Sequence, residues 1–324
     1  MKVLFIASGK SGGAVSPIVK FQGESLQKTA GVEIEYFPVI LKGFKGYLRT
    51  IFILRRHIKR KGFDILHAHY GLTAIITLLA RRNEKLVVSF MGDDIVGSNR
   101  QDGSVTLKSR VLASINAWLA TRFYDHSIVK SAEMLDHIDC RNVSLIPNGV
   151  DLSVFRQLSR EESRRELGLE SDHKVVIFVS DPGRVEKNFS LASEAVSKLK
   201  KQNLILIPVY GLDRDKVNLY YNAADVLVLS SFHEGSPNVI KEALACGTPI
   251  VSTRVGDVEW LTRNIEGCFL SGNKVPEFSE AISKALQFSS VMGKTEGRKR
   301  IEELKLDSES IAKKIYSIYL NTCR

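Results

Sequence analysis

Residues 230–249 read Ser230-Ser231-Phe232-His233-Glu234-Gly235-Ser236-Pro237-Asn238-Val239-Ile240-Lys241-Glu242-Ala243-Leu244-Ala245-Cys246-Gly247-Thr248-Pro249. The apolar run before them, Ala224 to Leu229, predicts a short buried strand. Glu234 then opens a Gly-Ser-Pro turn, and Pro237 fits the first turn of a helix, where a missing N–H costs nothing. Gly247 closes that helix. Glu242 follows Glu234 by eight residues, so one carboxylate sits on a strand-to-helix loop and the other two turns deeper. Between them lie the free N–H groups of a helix N-terminus, which suit phosphate. Two carboxylates for two sets of hydroxyls, with amides between them for phosphate, suit a nucleotide sugar.

Outward from this block the chain alternates strands and helices. Val3–Ser8, Val32–Phe37, Ile65–His69, Leu86–Phe90, Ser127–Lys130 and Val143–Ile146 read as one series of strands. Pro147-Asn148-Gly149-Val150-Asp151 interrupts it. Val175–Ser180, Leu204–Tyr210, Val226–Ser230 and Pro249–Thr253 form a second series. Two runs of βα units predict an α/β protein of two doubly wound, Rossmann-like domains facing a cleft, with ligands at the carboxyl ends of the strands. The expected division is 1–155 for an acceptor-side domain, 156–303 for a donor-binding domain and 304–324 for a last helix. The tail places Ile311, Ile315, Ile318 and Tyr319 on one helical face.

A chain of 324 residues with 44% hydrophobic and 25% charged residues is long enough for two cores. Cys140, Cys246, Cys268 and Cys323 are widely spaced without a Cys-x-x-Cys pair, which fits reduced thiols and a cytoplasmic setting. Met1 to Ala7 is apolar but too short for a signal peptide and reads as a first buried strand. No apolar run reaches the ~18 residues that span a bilayer. The net charge is +10, and no acid occurs between Glu35 and Asp64, where Lys42, Lys45, Arg49, Arg55, Arg56, Lys59, Arg60 and Lys61 fall. Such a stretch suits nucleic acid, an anionic membrane or an anionic substrate. No nucleic-acid module or basic-aromatic interleaving is present, so no nucleic-acid partner is expected. Tyr47, Ile51, Leu54 and Ile58 form an apolar face, widened by Leu48 and Phe52, with Arg49, Arg56 and Arg60 opposite. That face either packs on the first domain or lies on an anionic bilayer at the inner face of the cell membrane.

The block at 230–249 resembles the donor-binding signature of retaining glycosyltransferases of the GT-B fold, specifically glycosyltransferase family 4. There a Glu, seven residues and a second Glu precede an Ala and a Cys-Gly-Thr-Pro-like turn. The resemblance spans essentially the full chain and is strongest from Val175 to Val255. It implies transfer of a hexose-type sugar from a nucleotide diphosphate sugar, the donor substrate, to a glycan or lipid-linked acceptor, with retention and no cofactor. It implies that Glu234 meets the donor sugar and Glu242 the ribose. Gly235, Ser236, Pro237, Asn238 and Val239 complete the contacts to phosphate and sugar, chiefly through backbone N–H groups. It also implies that the last helix crosses back onto the first domain.

In the loop Ser180-Asp181-Pro182-Gly183-Arg184-Val185-Glu186-Lys187-Asn188, two cations suit a diphosphate leaving group. The family shows Gly-Arg, four residues, then Lys-Gly or Lys-Asn. Lys187-Asn188 match, and Arg184 stands closer to the lysine than usual. Lys187, Arg184 and Glu234 are thus the catalytic candidates. The loop Ser8-Gly9-Lys10-Ser11-Gly12-Gly13 lacks the glycine a P-loop needs, since Leu4 stands there, and it is not Gly-x-Gly-x-x-Gly. By resemblance it faces the donor phosphates, which makes Gly13 a donor-binding candidate; the alternative is an ordinary βα turn. His67 and His69 point to the same side of a strand, one structural and one lining the acceptor cleft, with His69 favoured for the cleft. Many members carry His-Gly-x-Asp where this chain has Met91-Gly92-Asp93-Asp94, so the imidazole is missing and Asp94 is kept as an acceptor-side candidate. No metal site is expected, and Asp213-Arg214-Asp215 reads as a turn. The rival readings are an NDP-sugar epimerase or hydrolase of the same fold, and a non-catalytic nucleotide-sugar-binding or nucleic-acid-binding protein.

Overall fold

The computed structural model describes residues 1–9, 13–41, 43–97, 106–200 and 202–323. Lys10, Ser11 and Gly12 of the glycine loop and Lys42 of the basic stretch lie outside the described residues. The residues fall into two compact units, which meet in sequence at Gly149–Val150 and at Asp307–Ser308.

In the first unit the chain runs β1 (Lys2–Ser8), α1 (Pro17–Ala30), β2 (Glu33–Val39), α2 (Gly43–Lys61), β3 (Ile65–His69), α3 (Gly71–Ala80), β4 (Lys85–Ser89), α4 (Leu107–Arg122), β5 (His126–Val129), α5 (Ala132–Leu135) and β6 (Val143–Leu145). The strands form one parallel sheet in the order β2-β1-β3-β4-β5-β6. Val3 to Ala7 are all buried because both faces of a parallel sheet are covered, and the run is therefore apolar without alternation. On one face Leu4, Ile6, Leu66 and Ala68 share a core with Leu54 and Ile58 of α2, Ala74 of α3 and Leu119 of α4. On the other, Phe5 meets the edge of the His67 ring.

The second unit contains α6 (Arg160–Leu167), β7 (Lys174–Phe178), α7 (Phe189–Lys198), β8 (Leu204–Pro208), α8 (Arg214–Ala223), β9 (Val226–Leu229), α9 (Asn238–Cys246), β10 (Ile250–Thr253), α10 (Val258–Thr262), β11 (Cys268–Ser271), α11 (Val275–Val291) and α12 (Gly297–Glu303). Its sheet is parallel in the order β11-β10-β9-β7-β8. Val176, Phe178, Val226, Val228 and Val251 pack beneath Leu191 of α7 and Phe278 and Ile282 of α11. In both sheets the first strand lies between the second and the third, so each has a switch point beside its first strand, where α/β sheets bind ligands.

The last helix, α13 (Ser308–Cys323), belongs to the first unit. Ile311, Ile315, Ile318 and Tyr319 are its buried face, and the Ser25 hydroxyl of α1 donates to the Ser308 carbonyl at 2.8 Å. The sequence reading placed the divisions after residues 155 and 303. The contacts place them earlier and later, because the Val150 N–H donates to the Leu306 carbonyl and Phe155 packs edge-on against Tyr221. Strand β11 and helix α6 were not foreseen. β11 is four residues long, and the charged run Arg160–Glu166 has little apolar periodicity; Ser159 caps it and Gly168 ends it at φ 67°. Asp213 is not a bare turn residue: its side chain caps α8 by accepting from the Lys216 N–H at 2.8 Å. Among the described residues no helix is long and apolar enough to cross a membrane.

Buried Asp225, at the start of β9, ties four elements together. Its carboxylate accepts from the Val175 N–H at 2.7 Å, the Arg164 guanidinium at 2.8 Å, the Arg160 guanidinium at 3.3 Å and the Ser289 hydroxyl at 3.2 Å. Removing it strands two guanidinium groups, one of them buried. Asp225→Ala is expected to lower stability by about 3–5 kcal/mol in urea unfolding; a loss under about 1 kcal/mol would mean that the cluster is solvated.

Candidate functional site

The loops after β7 and β9 are stitched together by backbone and side chain. The Ser230 hydroxyl donates to the Asn188 carbonyl at 2.9 Å, and the Phe232 N–H to the Glu186 carbonyl at 3.0 Å. Asn188 adopts a left-handed φ of 52°, a region asparagine tolerates better than most residues. This turn brings the Lys187 ammonium to 2.5 Å from Glu234 Oε1, and the Ser231 hydroxyl donates to the same oxygen at 2.7 Å. The two charged side chains are 16% and 13% exposed, so the pair is only partly screened by water. Arg184 is set apart, exposed and bound to Glu186 at 2.7 Å.

Gly235 is gripped from behind. The Asp257 N–H donates to its carbonyl at 3.1 Å, and a Cβ on Gly256 would collide with that carbonyl, so the close approach needs glycine. Pro237, expected in the first helical turn, occupies the capping position with extended backbone (φ −69°, ψ 121°). No side chain caps α9, so the first-turn amides of Asn238, Val239 and Ile240 have no side-chain acceptor from the cap. Gly247 ends the helix at φ 70°. Buried Lys241 reaches back to donate to the Ser236 hydroxyl at 3.1 Å. Burial pushes its ammonium down to about 8, opposed by the nearby Asp257 carboxylate, whose own proton affinity is raised by burial.

One turn into α9, half-buried Glu242 accepts a hydrogen bond from the Tyr221 hydroxyl at 2.9 Å. Burial raises its carboxyl, while Tyr221, Arg214 and Lys241 pull it back down. Glu242 lines a cavity of about 350 Å³ with Asp181, Arg184, Tyr210, Arg214 and Phe155. The cavity opens beyond the carboxyl ends of β7 and β8, beside the switch point. Arg214 lies over the Phe155 ring at 5.2 Å, within 3.5 Å of Asp151. An apolar wall with a few convergent charges is the usual make-up of a small-molecule site.

The second unit thus assembles Lys187, Glu234, Gly235, Ser236, Pro237, Asn238, Val239, Glu242 and Arg184 around one end of its sheet. Gly13, His69 and Asp94 belong to the first unit. Gly13 has φ 78° with open space beside it. His69 does not line a surface: it is 2% exposed because β3 is central, and its ring stacks on His67 at 4.3 Å and lies tilted against Phe5 at 4.6 Å. Its ring nitrogens meet no partner among the described residues, and burial pushes it down to about 3. His67 is the structural histidine, hydrogen-bonded to the Tyr319 hydroxyl at 2.5 Å and to Ser89 at 2.8 Å. Asp94 also departs from the cleft-lining expectation. It is buried and accepts from the backbone N–H groups of Gly71, Met91 and Gly92 at 2.8, 2.9 and 3.0 Å, so it pins the loop after β4 to the start of α3. Burial raises it to about 6 against those three bonds.

Sequence reasoning missed Arg214, Tyr221, Phe155, Tyr210, Lys241 and Asp257. Arg214 was visible inside an acidic triplet and passed over as a turn. The others carry no spacing signal, since they arrive from separate strands and helices.

Residues 10–154 match the family model described as Glycosyltransferase Family 4, and residues 208–287 match the model described as Glycosyl transferases group 1. The chain belongs to the family 4, group 1 glycosyltransferases. Its fold is accordingly GT-B. The sucrose-phosphate synthase structure from Thermosynechococcus elongatus covers 99% of this chain and 98% of its own at a TM-score of 0.84 and 18% identity. Anabaena HepE in complex with UDP-glucose covers 98% of each chain at a TM-score of 0.73 and 16% identity. Among curated relatives, the teichuronic acid biosynthesis glycosyltransferase TuaC of Bacillus subtilis is 27% identical over 76% of this chain and 68% of its own length. The D-inositol 3-phosphate glycosyltransferase of Mycobacterium marinum is 25% identical over 69% of this chain, which spans 56% of that protein.

Lys241 gives this glycosyltransferase a stability signature in alkali. Its folded value lies near 8 and its ordinary value is 10.5, so between these the unfolded chain binds the extra proton and stability rises with pH. From pH 8 to 10 that rise is about 2 kcal/mol. Lys241→Met is expected to remove it in urea unfolding at stepped pH, leaving the comparable rise from Lys294, which burial also lowers to about 8. An unchanged slope in the variant would show that Lys241 is not buried as a cation.

Proposed function

We propose that the chain transfers a hexose-type sugar from a nucleotide diphosphate sugar to a glycan or lipid-linked saccharide acceptor, with retention of anomeric configuration. The observation that carries this is the grouping, in one unit, of the Lys187–Glu234 pair, the uncapped start of α9 and the Glu242 cavity. The nucleoside fits the cavity, where Phe155 and Arg214 offer a flat apolar and cationic wall and Glu242 accepts from the ribose hydroxyls. The diphosphate then reaches the α9 amides. As the bond from the anomeric carbon to the phosphate oxygen breaks, negative charge grows on that oxygen, and Lys187 and the helix N-terminus are placed to stabilise it. Glu234 holds the sugar hydroxyls in exchange for part of its bond to Lys187. Arg184 approaches only after leaving Glu186, so its contribution is secondary. No side chain is assigned as a nucleophile; the acceptor hydroxyl attacks the anomeric carbon on the face the phosphate leaves, and its proton passes to the departing phosphate oxygen.

HepE structures with UDP and UDP-glucose make UDP-sugars the first donors to test. The teichuronic acid and D-inositol 3-phosphate relatives favour an acidic polysaccharide or a phosphorylated polyol as the acceptor to test first. Thermal shift against UDP-, GDP-, ADP- and CMP-sugars is the deciding screen, since a ligand that binds only the folded state raises stability with concentration. Flat melting curves with all four would argue against the reading.

Two variants separate binding from chemistry. Glu242→Ala is expected to cost about 1.5–3 kcal/mol of donor affinity in calorimetry. Lys187→Ala is expected to keep most of that affinity and lose turnover by about a hundredfold or more. The reverse pattern would exchange the two roles. Transfer is also expected to withstand EDTA. Among the described residues the cluster that could hold a metal, Glu170, Asp172 and His173, lies before β7, at the end of the strand away from the cavity. Abolition by EDTA with rescue by a divalent cation would overturn metal independence.

A further inference from the structure

The first unit lays α2, α3 and α4 against one face of its sheet, where Leu54, Ile58, Ala74, Ile76, Leu119 and Ala120 close a single core. Inward packing accounts for the apolar face of α2 foreseen in the sequence: Leu54 and Ile58 are buried, and Tyr47 and Ile51 are partly so. It leaves a second stripe unexplained. Phe44 is 80% exposed and Phe52 71%, with exposed Leu48 between them at a spacing of four. Helix α4 repeats the pattern: Leu107 is 75% exposed and Trp118 56%, with exposed Val111 and Ile115 between. Outward faces of surface helices are normally polar.

Charge follows the same three helices. None of α2, α3 and α4 contains an acid, while α2 carries seven Lys and Arg residues and α4 three, together as many as the whole chain's net +10. Among the described residues, Lys61 is the one of these ten cations in a salt bridge, with Glu35 at 3.5 Å.

We propose that this three-helix face docks on an anionic lipid bilayer. A second copy of the chain would set ten cations against ten. A polar polyanion would satisfy the cations and leave Phe44, Phe52 and Trp118 in water. A bilayer surface takes both: headgroup phosphates meet the cations, and the apolar stripes enter the boundary between headgroups and acyl chains, where tryptophan is favoured. The proposal is independent of the donor site, whose residues lie in the other unit.

The test is co-sedimentation of the full chain with vesicles of phosphatidylcholine alone and of phosphatidylcholine with phosphatidylglycerol, at about 0.05 and 0.5 M salt. Binding is expected only to the anionic vesicles and weaker at the higher salt. Leu48→Ser with Phe52→Ser, Val111→Ser with Trp118→Ser, and Arg49→Gln with Arg56→Gln are each expected to weaken it by about tenfold or more. Lys313→Gln with Lys314→Gln, on α13, leaves it unchanged. In a Trp260→Phe background, Trp118 emission shifts to the blue on binding. Unaltered thermal unfolding shows that each variant is folded. No binding, equal binding to neutral vesicles, insensitivity to the α4 substitutions, an unmoved Trp118 emission, or self-association that these substitutions abolish would each overturn the proposal.

Discussion

The contact between the Lys187 ammonium and the Glu234 carboxylate fixes the loop after β7 to the loop after β9, and the ligand end of the second unit is built around it. Neither group could be held alone at this depth without a large desolvation cost, and together they tie the two loops to each other. The Ser230 and Ser231 hydroxyls and the Asp257 N–H then set the backbone that leads into α9. The result is a cation, a carboxylate and a row of helix-end amides held in register before any ligand arrives. Preorganisation of this kind is what electrostatic stabilisation of a leaving group requires, because dipoles already aligned need no reorganisation as charge develops.

The two units divide their polar residues differently. The second unit keeps Lys187, Glu234 and Glu242 near the carboxyl ends of its strands and anchors the opposite end with Asp225. The first unit buries its polar groups, with His67, His69 and Asp94 all inside and Asp94 spent on backbone amides. Tyr70, between His69 and α3, is held at φ 87°, an uncommon conformation for a bulky residue and one that clusters near functional loops. The first unit's cationic and apolar excess is instead gathered on the outward faces of α2 and α4.

Sequence made the strands and the loop between β9 and α9 legible because both depend on local pattern. Apolar runs such as Val3–Ala7 and Val226–Leu229 admit little besides a buried parallel strand, and Glu234, Pro237, Glu242 and Gly247 mark the loop and helix by spacing alone. What stayed hidden depends on tertiary approach. Arg214 and Tyr221 reach Glu242 from α8, a neighbour that only the sheet order brings close. His69 shares its alternation with His67, and nothing local says that both are enclosed once α13 returns with Tyr319. The apolar stripe of α4 was missed because the helix has no strong single face: apolar residues point both inward and outward.

The central claim is that the nucleotide sugar is held wholly by the ends of β7 and β8 and the start of α9. Hydrogen–deuterium exchange with and without a saturating donor tests it most directly, because amide protection reports which segments the ligand orders. The account predicts added protection in residues 179–188, 210–217 and 234–242, with the outward faces of α2 and α4 unchanged. Protection that spares 234–242 at saturation, or that centres on α2 and α4, would contradict it.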